Sequence, residues 1–293
     1  MSLELISHPS LSERTSLGLG GTAEVEVVVR NEHDLDELSE FLTTRTLRPF
    51  VIGEGTNLLV SDTPLDMALI RIDASHGPKR VEKVDDKLIV GCSADQRLPG
   101  LLGWAQKAGL TGMEGLTGIP GSVGGGIAMN AGSYGTEIKD VIHRIRIWTP
   151  GAGLVWVDAS DCEFGYRHFS CPVVPGKGLI WEAEFILSES TPRKVQAGMK
   201  DVYSKKRATQ PVTARSAGCV FKNPPDKSAG LLLDQAGMKG VTLGGMGFSD
   251  IHANFLVNHG GGTAVEALEL LDQARAAVLK RFDVTLETEV IVL

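Results

Sequence analysis

The stretch Gly112-Met-Glu-Gly-Leu-Thr-Gly-Ile-Pro-Gly-Ser-Val-Gly-Gly-Gly-Ile-Ala-Met-Asn-Ala-Gly132 decides how the rest of the chain is read. Its glycines at 112, 115, 118, 121, 124, 125, 126 and 132 let backbone approach a ligand closely. Consecutive free N–H groups in such a segment form a concave anion site, suited to a pyrophosphate. Pro120 and the interleaved Leu116, Ile119, Val123, Ile127 and Met129 predict an ordered, partly buried ligand loop rather than a linker. No Gly-x-Gly-x-x-Gly occurs in the chain and no Gly-Lys-Ser/Thr closes the stretch, which argues against a Rossmann or P-loop nucleotide site.

With 293 residues, 42% hydrophobic and 22% charged, the chain suits two or three globular domains. A formal net charge of −7 argues against a broad nucleic-acid surface, which needs a basic field, and leaves room for a local basic pocket. Cys92, Cys162, Cys171 and Cys219 show neither a Cys-x-x-Cys pair nor zinc spacing, so a reduced setting fits better than a disulfide framework and no metal is expected. The opening Met-Ser-Leu-Glu-Leu lacks a basic region followed by an apolar run, and no segment reaches about 18 uninterrupted apolar residues. A cytoplasmic monomer with no membrane partner is expected.

Residues 24–30 read as a strand, and Asn31 caps a helix over 33–44 with Leu35, Leu38, Phe41 and Leu42 on one face. A strand at 49–52 completes a β-α-β unit and runs into Gly53-Glu-Gly-Thr-Asn57, a second glycine turn at a strand end, where α/β units tend to bind ligands. Strands follow at 67–72 and 87–92, then a helix over 98–109 ended by its glycine. Beyond the opening stretch, 144–149, 154–158 and 179–187 form antiparallel strands, with a polar, aromatic and basic loop at 163–169. A boundary near Ser188-Glu-Ser-Thr-Pro192 precedes a helix to about Lys206. Residues 228–236 read as helix and 254–258 as strand. Thr263 and Glu266 form a capping box for a helix that turns Val265, Leu268, Leu271 and Leu279 to one side. A last strand over 284–293 closes another β-α-β unit, with Leu286, Val290 and Val292 on one face and Glu287, Glu289 and Ile291 on the other.

Five motifs occur together and in order: Gly53-Glu-Gly-Thr-Asn, Gly118-Ile-Pro-Gly-Ser-Val-Gly-Gly-Gly, Gly165-Tyr-Arg, Ala217-Gly-Cys-Val-Phe-Lys-Asn-Pro and Leu286-Glu-Thr-Glu-Val. On them the chain resembles the UDP-N-acetylenolpyruvoylglucosamine reductase family, in its shorter type without a long insertion after Gly165-Tyr-Arg. The resemblance implies an α+β protein. Two subdomains, 1–73 and 74–190, form a vanillyl-alcohol-oxidase-like (PCMH-type) FAD-binding fold, and a C-terminal domain, 191–293, binds a sugar nucleotide. It implies noncovalent FAD, NADPH as hydride donor, and reduction of an enolpyruvyl group in peptidoglycan synthesis. The cofactor residues it implies are Gly53, Glu54, Gly55, Thr56, Asn57, Gly118, Ile119, Pro120, Gly121, Ser122, Gly124 and Gly125. Gly126 stands where the family usually has alanine, a change expected to loosen the loop by removing the constraint of a Cβ.

By the same resemblance Arg167 and Glu289 stabilise an enol intermediate, while Tyr166, Lys222 and Asn223 line the substrate site. A guanidinium in that position forks onto a carboxylate or enolate; without the family it reads as a solvated loop charge. Cys219 stands where serine is common and is expected to protonate the substrate carbon. An ordinary thiol, with pKa of about 8.5, holds the needed proton at neutral pH; a buried small hydrophobe is the plainer reading. Glu287 rivals Glu289. Lys205, Lys206 and Arg207 either draw in a diphosphate or complement a helix dipole. Another flavin oxidase of the same fold, or a noncatalytic UDP-sugar or flavin sensor, is the alternative.

Overall fold

A computed structural model describes residues 3–74, 76–174, 176 and 178–293. The chain folds as two compact units: Glu26–Glu54 and Ala68–Lys205 with the N-terminal residues form the first, and Ser7–Val25, Gly55–Met67 and Lys206–Leu293 form the second.

In the first unit, helix α1 (Glu32–Thr44) starts at Asn31 through a capping box: the Asp34 N–H donates to Asn31 Oδ1 at 3.1 Å, and Asp34 Oδ2 accepts from the Asn31 N–H. Of the expected face Leu35, Leu38 and Phe41 are buried, while Leu42 is half-buried. The strand Arg48–Ile52 is not the direct neighbour of Ala23–Val29; Leu65–Ile72 lies between them in a four-stranded sheet. A six-stranded antiparallel sheet runs in the order Gly153–Asp158, Ile142–Thr149, Leu179–Glu189, Lys87–Ser93, Lys79–Val84, with the short Leu110–Thr111 on the long strand's end. Its register sets Ile145 opposite Ala183 and Phe185 opposite Val90. These residues form a core with Leu101 of helix α2 (Leu98–Ala108), Leu116, and Ile127 of helix α3 (Val123–Ala128). Gly109 at φ +72° ends α2 in the left-handed region.

The expected loop at 163–169 is instead a β-hairpin, Glu163–Gly165 against His168–Ser170, with Tyr166 and Arg167 as its turn. Alternation there is masked because both inward-packing residues, Phe164 and Phe169, also pair with each other, ring centroids 5.2 Å apart.

Helix α4 (Pro192–Thr209) leads into the second unit. There a four-stranded antiparallel sheet runs Ser216–Cys219, Phe255–Asn258, Met246–Phe248, Thr242–Leu243. Helices α5 (Ala229–Gln235) and α6 (Ala264–Phe282) share its core. The Thr263–Glu266 capping box is present. Of the expected face only Leu271 is buried: Val265 is 70% exposed, and Leu268 and Leu279 also face solvent. Ala264, Ala267, Leu270, Ala274 and Val278 are buried with Leu271 instead. Small alanines let α6 approach closely, so the buried stripe is not the one with the largest side chains.

The C-terminal strand is also shorter than expected. Ile291–Val292 pairs parallel to Leu58–Leu59 and Thr288 makes an isolated antiparallel bridge to Phe221, so the segment does not close a β-α-β unit with Phe255–Asn258. Alternation holds for the buried Leu286 and Val290 but fails at Val292, which is 45% exposed on a two-residue edge.

Candidate functional site

In the first unit a cleft of about 290 Å³ is lined by Gly53, Glu54, Arg71, Asp73, Ala94, Asp95, Ser122, Gly124, Gly125 and Ala128, among others. It thus brings together five of the expected cofactor residues from two separate glycine turns. The turns touch: a Cβ on Gly53 would land on Ser122 Oγ. Ser122 caps α3, its Oγ accepting the Gly125 N–H at 3.2 Å. Gly124 donates to the Ala94 carbonyl at 2.8 Å, and a Cβ there would stand 2.9 Å from Ala94 Cβ. Only bare backbone permits this approach.

Gly118, Ile119, Pro120 and Gly121 form the turn that feeds Ser122 into the cleft, with Gly118 at φ +80° and Gly121 at φ +114°. The Gly121 carbonyl accepts the Leu98 N–H at 2.8 Å, which fixes the turn to the start of α2. Thr117, just before it, has a buried hydroxyl with no hydrogen-bond partner among the described residues. Gly126 lies inside α3, where Ile138 Cδ1 occupies the space its Cβ would take, at 2.7 Å. The helix is therefore packed, not loosened, by that glycine. Glu54 turns its carboxylate to Arg97 at 3.0 Å. Arg71 is tied between the buried Glu26, at 2.5 Å, and Asp73. Bare backbone and a capped helix start fit an anionic dinucleotide; the Arg71 and Arg97 guanidiniums beside them are already paired with Glu26, Asp73 and Glu54. The volume matches part of such a ligand rather than all of it.

The hairpin turn holds Arg167 at φ +54°, with its guanidinium 5.0 Å over the Tyr166 ring. Asn130, fully buried, anchors this turn from the end of the glycine stretch. Its Nδ2 donates to the Gly165 carbonyl and to Glu137 Oε2, both at 3.0 Å, and its Oδ1 accepts the Lys139 N–H at 3.1 Å. The Lys139 ammonium, Asn130 and the charge of Arg167 hold the Glu137 carboxyl below its ordinary range.

In the second unit, two segments lie side by side. Cys219 ends its strand opposite Phe255, after a bulge at Gly218 with φ +78°. The Glu289 N–H donates to the Val220 carbonyl at 2.8 Å, Phe221 bridges Thr288, and the Lys222 N–H donates to the Glu287 carbonyl at 2.9 Å. Glu289 is thereby fixed beside Cys219-Val220 in sequence register. Asn57 secures it from the other side, its Nδ2 donating to the Glu289 carbonyl at 3.3 Å. The side chain of Glu287 is 76% exposed and pairs with Lys222 at 3.5 Å, whereas Glu289 is half-buried. Asn223 Oδ1 accepts the Ala229 N–H at the start of α5 at 3.0 Å. Gly55, Thr56 and Asn57 belong to this unit, unlike Gly53 and Glu54. Gly55 is buried, and a Cβ there would land on the Arg14 carbonyl.

Sequence reading missed Asn254. It is 2% exposed, accepts the Phe221 N–H at Oδ1 (3.0 Å) and donates from Nδ2 to the Phe221 carbonyl (2.8 Å). Its partner is 33 residues away, so no local signal marks it.

Among the described residues no cluster of three or more His, Cys, Asp or Glu could hold a metal, and no helix is long and apolar enough to cross a membrane.

Residues 23–158 match the FAD binding domain family, and residues 210–293 match the UDP-N-acetylenolpyruvoylglucosamine reductase C-terminal domain family. The chain is 44% identical to the UDP-N-acetylenolpyruvoylglucosamine reductase of Nitratidesulfovibrio vulgaris, over 99% of both chains. It is 43% identical to that of Oleidesulfovibrio alaskensis, over 98% of this chain and 97% of the relative. The crystal structure of the Thermus caldophilus UDP-N-acetylenolpyruvylglucosamine reductase superposes with a TM-score of 0.82 at 32% identity, covering 100% of this chain and 99% of that one.

Proposed function

The chain belongs to the UDP-N-acetylenolpyruvoylglucosamine reductase family, and from that premise we propose how its own residues carry out the reduction. The reaction turns UDP-N-acetyl-3-O-(1-carboxyvinyl)-glucosamine into UDP-N-acetylmuramate, a peptidoglycan precursor. When bound, FAD supplies a two-electron carrier between the donor, which we assign as NADPH, and the enolpyruvyl double bond. Gly53, Glu54, Ser122, Gly124 and Gly125 line the cleft that we assign to its pyrophosphate. We assign Gly118, Ile119, Pro120, Gly121, Gly55, Thr56 and Asn57 to the same cofactor.

Adding hydride to the enolpyruvyl group builds negative charge on its carboxylate side. Arg167, held in a fixed turn by the Asn130 bond to Gly165, offsets that charge. Glu289 shares in stabilising the enol form. The Cys219 thiol then gives its proton to the adjacent carbon and recovers one from solvent. Tyr166, Lys222 and Asn223 bind the sugar nucleotide. We place the enzyme in the cytoplasm, acting as a monomer.

The observation that carries this reading is the side-by-side bonding of 219–222 and 287–290. It sets Glu289 opposite Val220, so the backbone of the proposed carboxylate lies one residue out of register with that of the proposed acid, Cys219. The purified protein should be yellow and should oxidise NADPH only when the enolpyruvyl sugar nucleotide is present. Cys219→Ser should keep turnover and Cys219→Ala should lose most of it. Equal turnover in both variants would remove Cys219 from the chemistry, and failure to take up FAD would sink the whole reading.

A further inference from the structure

Cys162 and Cys171 flank the hairpin that carries Tyr166 and Arg167. Its ladder pairs Gly165 with His168, Phe164 with Phe169 and Glu163 with Ser170. A two-residue turn closes on a hydrogen-bonded pair, and hydrogen-bonded and non-hydrogen-bonded pairs alternate outward from it. One step past the ladder, Cys162 and Cys171 therefore fall on the non-hydrogen-bonded parity. Their backbone groups agree: the Cys162 N–H donates to Ala159 at 3.2 Å and the Cys171 carbonyl accepts from Val174 at 3.1 Å, both away from the facing strand. Cα atoms of such a pair stand about 4.5 Å apart, inside the roughly 4.4–6.8 Å that a disulfide spans. The two thiols are within hydrogen-bonding reach of each other, and both side chains are half-buried against the first unit's core.

The other cysteines lack this setting. Cys92 is 1% exposed. Cys219 is the only cysteine of the second unit.

We propose that Cys162 and Cys171 are a reversible disulfide site, oxidised by peroxide, that staples the base of the Tyr166–Arg167 hairpin. One of the two thiols attacks a peroxide oxygen, giving a sulfenic acid and one water. The other sulfur then displaces the hydroxyl, the S–S bond forms, and the displaced hydroxyl leaves with the second thiol's proton as a second water. The two thiols lose two protons and two electrons, and the peroxide is reduced to two waters. Burial, followed by the neighbouring Cys171, pushes the Cys162 thiol up to about 12. A dithiol reverses the bond, consistent with the transient disulfides that reducing compartments allow.

Peptide mapping of the full chain tests the site. Protein in thiol-free buffer is exposed to hydrogen peroxide, quenched with an alkylating agent and digested with trypsin without reductant. Trypsin cuts after Arg167, inside the hairpin, so peptides 147–167 and 168–177 stay joined only through the disulfide. The linked species should appear, lighter than the two peptides by two hydrogens, and dithiothreitol should split it. Cys162→Ser and Cys171→Ser should each abolish it while far-UV circular dichroism reports an unchanged fold. If either variant misfolds, the wild-type map decides alone. Both thiols still open to alkylation after peroxide, a sulfinic acid on either thiol beside a free partner, or a link through Cys92 or Cys219 would overturn the proposal.

Discussion

Replacing Asn254 is expected to loosen the segment that presents Cys219 without touching Cys219 itself. The side chain closes a two-bond bracket on Phe221, accepting its N–H at 3.0 Å and donating to its carbonyl at 2.8 Å, with both residues buried. Asn254→Ala leaves one donor and one acceptor orphaned, each costing about 1–3 kcal/mol. Water entering the vacated space satisfies part of this, so the net loss is expected at about 2–4 kcal/mol, a large share of a typical stability of about 5–15 kcal/mol. All four tryptophans (Trp104, Trp148, Trp156 and Trp181) lie in the first unit, so fluorescence would not follow the change. Native-state amide exchange would: protection at 220–222 should fall about 30- to 700-fold, since each 1.4 kcal/mol is tenfold. Asn254→Asp adds a sign test. A carboxylate can accept the Phe221 N–H but faces the Phe221 carbonyl with lone pairs, and only the neutral acid restores the donor. The folded-state pKa is therefore raised above the unfolded value of about 3.9, and the stability carried by the acid form is lost as pH rises. This variant should be less stable at pH 8 than at pH 5, relative to wild type. Protection changing less than threefold in the alanine variant, or a flat pH response in the aspartate variant, would refute the bracket.

Gly53→Ala puts a methyl onto Ser122 Oγ and displaces it from the Gly125 N–H; FAD affinity should fall at least about tenfold, alongside a cap loss of about 1 kcal/mol. Gly103→Ala, with nothing within 4 Å of its Cβ, is the control, and it should bind FAD like wild type in a flavin titration. Lys206 is 3% exposed and burial lowers its ammonium pKa to about 8. The unfolded chain keeps that proton to about 10.4, so from pH 8 to 10 the unfolded state binds more protons and stability rises with pH, by at most about 1.4 kcal/mol per pH unit. Urea midpoints of Lys206→Met should lack this rise, and parallel profiles would refute it. Asn130→Ala orphans the Gly165 carbonyl and should cost about 1–3 kcal/mol in urea unfolding. On the role proposed for Arg167 it should also lower kcat more than it raises KM, and an unchanged kcat would separate the turn's geometry from catalysis.

Signals that act within one turn of helix were legible. Asn31 with Asp34 and Thr263 with Glu266 satisfy their own helix starts, and Gly109 its own helix end, whatever the rest of the fold does. The contact of Gly53 with Ser122 was half legible: the glycines mark both turns, but only folding shows that they form one cleft. The buried face of α6 was not, because Ala267 and Ala274 pack closely while carrying little hydrophobic signal of their own. Nor was the division between Glu54 and Gly55, since one continuous motif supplies both units. Asn130 and Asn254 were silent for a different reason. An asparagine becomes a bracket only when it meets a particular backbone 35 or 33 residues away.

The second unit's ownership of residues 7–25 and 55–67 sets an order of events in synthesis. Leu17, Leu19 and Leu59 belong to a core whose other members begin at Ala217, and Leu58–Leu59 waits for Ile291–Val292. The segment between these two strands must therefore be made before this core can close, and the closure spans a long loop whose entropy must be met at once. Residues 210–293 made alone would lack that strand partner and those leucines. The family boundary at 210 thus marks relatedness of sequence, not a place where the chain can be cut into an independently folding piece.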